Sequence, residues 1–244
     1  LTHPLPEDRI TDSRARARSY PPLKLAPSLD YHLARARIVA RYAGINNDAA
    51  LDWFERKLKK APKALVPSLE YGQALVYLDS NKLDKAAPIL TKLINSDPTN
   101  LFYLDAISDL HIEQKKPEIA IKELKSALVR QPNNSVLTIN YANALIENEE
   151  LQEAVRVLQR YTHDNPNDTN GWHLLSKVNI NLGNSDEDLA ARAEILALQA
   201  NWNKAIQYYT QASQIAELGS LKQARYDARI DQLMIQRERF LSLQ

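Results

Sequence analysis

The sequence predicts an all-α, right-handed solenoid of stacked helical hairpins, and two observations carry this prediction. Pro98, Pro132 and Pro166 recur at one equal interval, and Pro62 lies at nearly the same interval before Pro98. That interval matches the period of about 34 residues that is typical of helix–turn–helix repeats. Alanine, leucine and charged residues dominate the composition, while glycine numbers only 5 of 244 residues and strand signals are nearly absent. Because one hairpin cannot bury its own apolar faces, the copies must stack, and the stack exposes a long concave surface.

Small and large residues recur in register with the prolines. The second helix of each unit carries alanine and then leucine four positions later, and the first helix carries a small residue; these positions are Ala86, Ala120 and Ala154, then Leu90, Leu124 and Leu158, and then Ala74, Ser108 and Ala142. Small residues suit close helix contacts, and large ones fill the space between hairpins. The pattern resembles the tetratricopeptide repeat, with clear units at 67–100, 101–134 and 135–168.

The rest of the predicted repeat domain, 28–244, is less regular. A weaker unit spans 31–64, where Arg37 occupies a position that should belong to the core. The region 169–217 is irregular: Asp186–Ala200 is interpreted as the first helix of the last hairpin, which leaves one helix unpaired or the repeat interrupted. The segment 220–243 is predicted to be a capping helix with a polar outer face.

Charge is distributed unevenly although the net charge is only +1. Residues 1–64 carry 13 Lys and Arg against 7 Asp and Glu, whereas residues 65–244 carry 18 against 23. An acidic main body argues against nucleic-acid binding, which needs a basic face interleaved with aromatic residues. The basic start is expected to pack on the acidic solenoid or on a neighbouring domain. No apolar run approaches the roughly 20 residues of a membrane span, so a transmembrane chain is not expected.

The segment 1–27 differs in kind from the repeats. Its five prolines break helices, so composition alone predicts a Pro/Arg-rich linker without a sustained helix. Residues 2–10, however, read Thr-His-Pro-Leu-Pro-Glu-Asp-Arg-Ile, which resembles the end of the catalytic domain in zinc metalloproteases with an HExxH helix, the group of HtpX and the CAAX prenyl protease. Followed by tetratricopeptide repeats, this motif resembles the BepA-type family of periplasmic zinc metalloproteases and chaperones of Gram-negative bacteria.

The resemblance implies a location, a cofactor and partners. The parent protein would be a periplasmic zinc metalloendopeptidase and chaperone that promotes assembly or degradation of outer-membrane β-barrel proteins. Its expected partners are the β-barrel assembly machinery, LptD-like and other outer-membrane protein clients, and its own protease domain. By the same resemblance, His3 would lie near the zinc as an oxyanion donor and Arg9 would support that region.

The chain itself is not expected to be an enzyme. None of its five histidines begins an HExxH, so both zinc ligands and the general base are missing from it. His3 and Arg9 are therefore accessory at most, and no metal or cofactor is expected in this fragment. His111 and His163 are interpreted as structural residues.

The candidate site is the concave groove. Positions 2, 5, 9, 12 and 13 of each first helix share one stripe that faces it, and the candidates there and beside them are Tyr71, Phe102, Asp105, Asp109, Asn140, Asn143, His173 and Lys177. The two asparagines could bind a peptide backbone, and the two aromatic rings could anchor a partner. The competing interpretation is an ordinary solvated helix face.

The acidity of the first units disfavours capture of an acidic C-terminal peptide and favours extended, aromatic-rich or basic segments. Two further functions remain open at this point. One is a generic repeat adaptor without an associated protease. The other is an enzyme in its own right, for which no residues are evident.

Overall fold

The computed structural model describes residues 6–21 and 28–242, and in this part of the chain it contains thirteen α-helices, one short 3-10 turn and no strand. The prediction of an all-α solenoid is confirmed. The helices are α1 (Pro6–Ser19), α2 (Leu29–Arg41), α3 (Asn47–Leu58), α4 (Val66–Asp79), α5 (Leu83–Ser96), α6 (Leu101–Glu113), α7 (Pro117–Arg130), α8 (Ser135–Glu147), α9 (Leu151–Asp164), α10 (Thr169–Leu182), α11 (Ser185–Leu198), α12 (Trp202–Ile215) and α13 (Leu221–Leu241).

Three regular hairpins, α4–α5, α6–α7 and α8–α9, form the centre of the solenoid. Each hairpin turns through one residue with positive φ, and these residues recur once per repeat as Asn81, Lys115 and Glu149. The next hairpin begins with an N-cap whose side chain accepts from backbone N–H groups, at the same interval: Asn100, Asn134 and Asp168. Caps of this kind satisfy donors that the first turn of a helix leaves unpaired. The proline period therefore reflects a repeated turn and cap.

The helix α11 resolves the irregular region because it belongs to two hairpins at once. Gly183, with φ 74°, lies one full repeat period after Glu149 and forms the turn between α10 and α11, as the equivalent residues do in the earlier hairpins. Ala200, with φ 57°, follows after only half a repeat period and forms the turn between α11 and α12 in the same way. The helix α11 thus packs as the second helix of one unit and the first helix of the next. The interpretation of α11 as the first helix of the last hairpin therefore describes half of this arrangement. The helix α10 pairs with α11, so no helix is left unpaired here.

A polar contact replaces the usual alanine and leucine where α11 packs on α10. Asp188 and Arg192 occupy those two positions of the repeat, and both bond to Ser176 of α10 or to each other. On its other side α11 contributes Ala193 and Ala197 to a separate apolar cluster with α12 and α13. The double role of α11 therefore explains why the alanine and leucine of the repeat pattern are absent from these two positions.

The last helix, α13, is tied to α11 by ion pairs as well as by apolar packing. Arg229 donates from Nε and Nη2 to the two oxygens of Glu194 at 2.7 and 2.8 Å. Tyr209 of α12 donates to the same carboxylate at 2.6 Å. The fully buried Tyr226 and Leu233 fix the inner face of α13, while most of its other described residues are exposed.

The first two repeat helices do not form a regular hairpin. The helix α2 packs mainly against α4 and only slightly against α3, whereas α3 packs against α4 in the usual way. Leu33, Ala36 and Ala40 bury the inner face of α2 in the core cluster. This splayed arrangement moves α2 toward the concave side of the solenoid.

The structure contradicts the expectation that 1–27 lacks a regular helix, because α1 spans Pro6–Ser19. Prolines are absent from the interior of this span, and proline at the first helical position is well tolerated. Glu7 and Asp8 in the first turn and Arg16 and Arg18 in the last complement the helix dipole. The described side chains of α1 are exposed, so α1 gains nothing visible from tertiary packing.

We expect Gly72→Ala to destabilise the fold by about 1–2 kcal/mol. A Cβ at Gly72 would overlap the ring of Phe54 and lie 3.1 Å from the Cβ of Ala36, and overpacking of this kind typically costs about 1–3 kcal/mol. The better helix propensity of alanine returns up to about 1 kcal/mol. Chemical denaturation measures the effect. Gln73→Ala on the same helix is the control, with an expected change below about 0.5 kcal/mol; equal losses for both variants would refute the close contact.

Candidate functional site

The first part of the concave groove, along α4 and α6, is occupied by α2. Arg37 donates from Nη2 to Oδ2 of Asp105 at 2.6 Å. Asn140 of α8 donates to the other oxygen of the same carboxylate at 2.8 Å. Two of the predicted peptide-binding residues, Asp105 and Asn140, are therefore engaged within the protein. Arg37, which breaks the expected core pattern, is the partner of Asp105.

A second arginine of α2 completes this network. Arg41 donates from Nε and Nη2 to the two oxygens of Asp79, at 3.0 Å each, and its Nη2 lies 3.5 Å from Oδ2 of Asp109. Arg37 and Arg41 of the basic start thus pack on the acidic solenoid, whereas the described side chains of α1 are exposed. We call Arg37, Arg41, Asp79, Asp105 and Asp109 the α2 charge network.

The α2 charge network is partly buried. Only 10% of the Asp105 side chain and 27% of the Arg37 side chain are exposed. Burial lowers the pKa of Arg37, but Asp105 and Tyr71 together outweigh this effect and the pKa is raised. For Asp109, burial and then repulsion from Asp105 raise the pKa to about 6, against the opposing pull of Arg41 and Arg37. Asp109 is thus the member of the network whose charge is least well compensated.

The two aromatic candidates lie deeper than the sequence suggested. Tyr71 was expected as an exposed anchor, but it is fully buried in the same core cluster as Leu33 and Ala36 of α2. Burial raises the pKa of its phenol, whose oxygen has no hydrogen-bond partner in the described part of the chain. Phe102 is half-buried, with its ring edge-on to Tyr71 at 5.9 Å between centroids. The position of α2 is the physical reason, because an ordinary first helix would leave this face open.

The groove remains open along α8 and α10. His173 and Lys177 are exposed, Asn143 is half-buried, and Lys177 donates to Glu147 at 2.7 Å. Ile180, which sequence reasoning missed, lies three residues beyond Lys177 on the same stripe of α10 and is 51% exposed. Its position in the repeat register was the signal that could have identified it. We call Asn143, Glu147, His173, Lys177 and Ile180 the open groove.

The two accessory residues are not brought into any site. His3 lies outside the described residues, and Arg9 is exposed on α1. Among residues 6–21 and 28–242, no three His, Asp or Glu side chains are grouped so that they could hold a metal ion. His111 approaches Glu123 at 3.5 Å, and His163 is exposed near the end of α9.

No helix in the described part of the chain is long and apolar enough to cross a membrane.

The helical architecture agrees with a match to a known repeat family. A tetratricopeptide repeat family model matches residues 111–178, and the protein is an all-α tetratricopeptide repeat solenoid. A solved repeat protein from Thermus thermophilus, TTC0263, is 20% identical, covers 85% of this chain and 100% of its own, and gives a TM-score of 0.48.

Curated relatives match along essentially the whole chain. The "Beta-barrel assembly-enhancing protease" of Escherichia coli K12 is 41% identical over 98% of this chain and 49% of its own length. A Vibrio cholerae protein assigned to the same group is 72% identical over 100% of this chain and 50% of its own length. The predicted resemblance to this group of proteases is confirmed. The chain spans about half the length of the curated relatives it matches.

The network should show strong coupling in a double-mutant cycle of Arg37→Ala and Asp105→Ala. We expect a coupling energy of about 1–3 kcal/mol, because removing either partner leaves a poorly hydrated charge. The exposed pair Arg56 and Asp52, 3.1 Å apart with side chains 67% and 59% exposed, is the control and should give about 0.5 kcal/mol or less. Equal coupling in the two cycles, measured by urea unfolding, would contradict the account.

Asp109→Asn should change the pH dependence of stability. The folded pKa of Asp109, about 6, lies above the value of about 3.9 for an unfolded Asp. Between these values the folded chain holds a proton that the unfolded chain has released, so this group lowers stability as pH rises from about 4 to about 6. The variant should therefore exceed the parent at pH 7 by less than about 1 kcal/mol, since the side chain is 35% exposed and screened. The difference should vanish near pH 4.

Asp79→Asn is the matched control for that titration. It removes a carboxylate that bonds to Arg41 through both oxygens, so it should lower stability at pH 7. Thermal unfolding across the pH range measures both variants. A parent that is more stable than Asp109→Asn at pH 7 would show that Arg41 compensates Asp109 fully.

Proposed function

We propose that this chain is the protein-binding repeat domain of a periplasmic zinc metalloprotease and chaperone that acts on outer-membrane β-barrel proteins. In this proposal the repeat domain recruits the protease to the β-barrel assembly machinery and to LptD-like and other outer-membrane clients. The names of the full-length relatives support the wider role. Zinc and the hydrolytic chemistry belong to a protease domain outside this chain, which is also a partner of the repeat domain.

The observation that carries the proposal is the division of the concave surface into an occupied and an open part. The helix α2 neutralises the acidic carboxylates along α4 and α6 through Arg37 and Arg41. A client segment would therefore meet the open groove along α8 and α10. The amide, imidazole, ammonium and carboxylate groups of the open groove offer both hydrogen-bond donors and acceptors, and Ile180 offers an apolar contact.

This chemistry suits an extended polypeptide. Unfolded β-barrel proteins expose backbone N–H and C=O groups with side chains alternating between two faces. Asn143 can donate to and accept from such a backbone, while Ile180 can contact one apolar side chain on the face of the segment that is turned toward the groove. A generic repeat adaptor without an associated protease remains the alternative, but the relatives named as proteases favour the first proposal.

Site-specific photo-crosslinking in the full-length protein, in the periplasm, tests the proposal. A crosslinkable residue at His173 or Asn143 should capture assembly-machinery components or nascent β-barrel proteins. The same residue at Val129, which is 80% exposed on the second helix α7, is the control and should capture far less. His173→Ala with Lys177→Ala should reduce capture from Asn143 by roughly tenfold, since two groups each contributing about 0.5–1.5 kcal/mol are removed.

Two outcomes would refute the proposal. Equal capture from Val129 and from the groove positions would show that the groove has no special role. Capture only of the protein's own catalytic domain would make the open groove an intramolecular contact, with client binding elsewhere.

A further inference from the structure

A second concave surface lies on the opposite side of α2 from the charge network. Because α2 leans toward α4 and barely contacts α3, the two helices leave a cleft of about 620 Å³ between them. This volume falls within the range of about 300–1,000 Å³ that ligand pockets occupy. We call this space, lined by α2, α3 and the start of α4, the α2–α3 cleft.

The rim of the α2–α3 cleft is strongly basic. Arg35, Arg56, Lys57, Lys59 and Lys60 line it together with His32, and among the described residues no acidic side chain does. All five cations are exposed, and within residues 6–21 and 28–242 only Arg56 forms an ion pair there, with Asp52 one helical turn away. In the solenoid beyond residue 64 acidic residues are in excess. The basic rim therefore concentrates positive potential that the described part of the chain compensates only at Arg56.

The floor of the cleft is apolar. Trp53, Leu65 and Leu69 line it and are half-buried. The Nζ of Lys57 lies 5.7 Å from the centroid of the Trp53 ring. A cation of the rim is therefore adjacent to an apolar side chain of the floor. A ligand that fills this space must present negative charge and apolar surface at once.

We propose that the α2–α3 cleft binds an acidic peptide segment of a partner protein, with a leucine-like side chain seated on Trp53, Leu65 and Leu69. Charge complementarity to the five cations selects the acidic residues. The apolar floor selects against a free phosphate, which has nothing to place there. The floor lies in a recess between two helices, so a flat membrane surface would reach the rim cations but not Trp53. This site is separate from the open groove and does not depend on client binding there.

Fluorescence anisotropy with a labelled synthetic peptide of Asp and Glu residues carrying leucine tests the proposal on the whole chain. The peptide should bind, and binding should weaken with added salt because the rim cations are exposed. Lys59→Glu with Lys60→Glu should weaken it about tenfold or more, since two attractions become repulsions. Replacing leucine by serine in the peptide should weaken it by a similar factor.

The matched control is Lys122→Glu with Lys204→Glu, which makes the same change in net charge at two exposed lysines on α7 and α12. This variant should bind the peptide within about twofold of the parent, because screening limits charge effects at long range. If Lys59→Glu with Lys60→Glu lowers the melting temperature markedly, Arg35→Glu on α2 serves as the second variant and should also weaken binding.

Four results would overturn the proposal. They are no binding of the peptide, equal loss in the control variant, full competition by inorganic phosphate at equal concentration, and binding of phosphatidylglycerol vesicles without binding of the peptide. The last would identify an anionic lipid surface, and not a peptide, as the ligand of the rim.

Discussion

The contact between α2 and the carboxylates of α4 and α6 determines which part of the concave surface is covered. Arg37 and Arg41 reach across the groove to Asp105, Asp79 and Asp109, while Leu33, Ala36 and Ala40 bury the same helix against the core. Apolar burial fixes α2 in place, and the ion pairs offset the cost of gathering three carboxylates on one face. The same contact closes one part of the groove, covers Tyr71 and opens the cleft toward α3.

The sharing of α11 between two hairpins is the second constraint on the architecture. A regular repeat alternates first and second helices, so each face of the solenoid is built from one kind. The helix α11 acts both as a second helix and as a first helix. Because of this double role, α10 is the last helix in the series that acts only as a first helix and lines the groove. The carboxylates of α11 then hold α13 through Lys222, Arg225 and Arg229. The groove thus has a closed beginning at α2 and a defined end at α10.

The regular repeats could be predicted from the sequence because they depend on local rules. Prolines, N-caps and small residues at helix contacts recur once in every repeat, and each acts within one hairpin. Arg37 was recognised as an anomaly, but its partner Asp105 lies 68 residues away, and no local pattern shows which carboxylate an arginine will meet. Tyr71 was misplaced for the same reason, since what covers it comes from a different repeat.

Two other features escaped prediction for different physical reasons. The helix α1 was missed because prolines at both ends of a short basic segment resemble a linker, although they lie outside its interior. The double role of α11 was missed because Ser176, Asp188 and Arg192 replace apolar contacts with polar ones. Of the residues predicted to bind a partner, Asp105 and Asn140 bond to each other beneath α2, whereas Asn143, His173 and Lys177 lie beyond α2, and their role in binding stays a prediction.

If α2 is a fixed part of the groove, hydrogen–deuterium exchange of the full-length protein should show it. Amides of α2 should be protected to the same degree as those of α4, both alone and with an unfolded β-barrel protein bound, because the proposed client site lies along α8 and α10. Loss of protection in α2 on client binding would contradict the account. It would show that α2 leaves the acidic carboxylates and that the client takes its place.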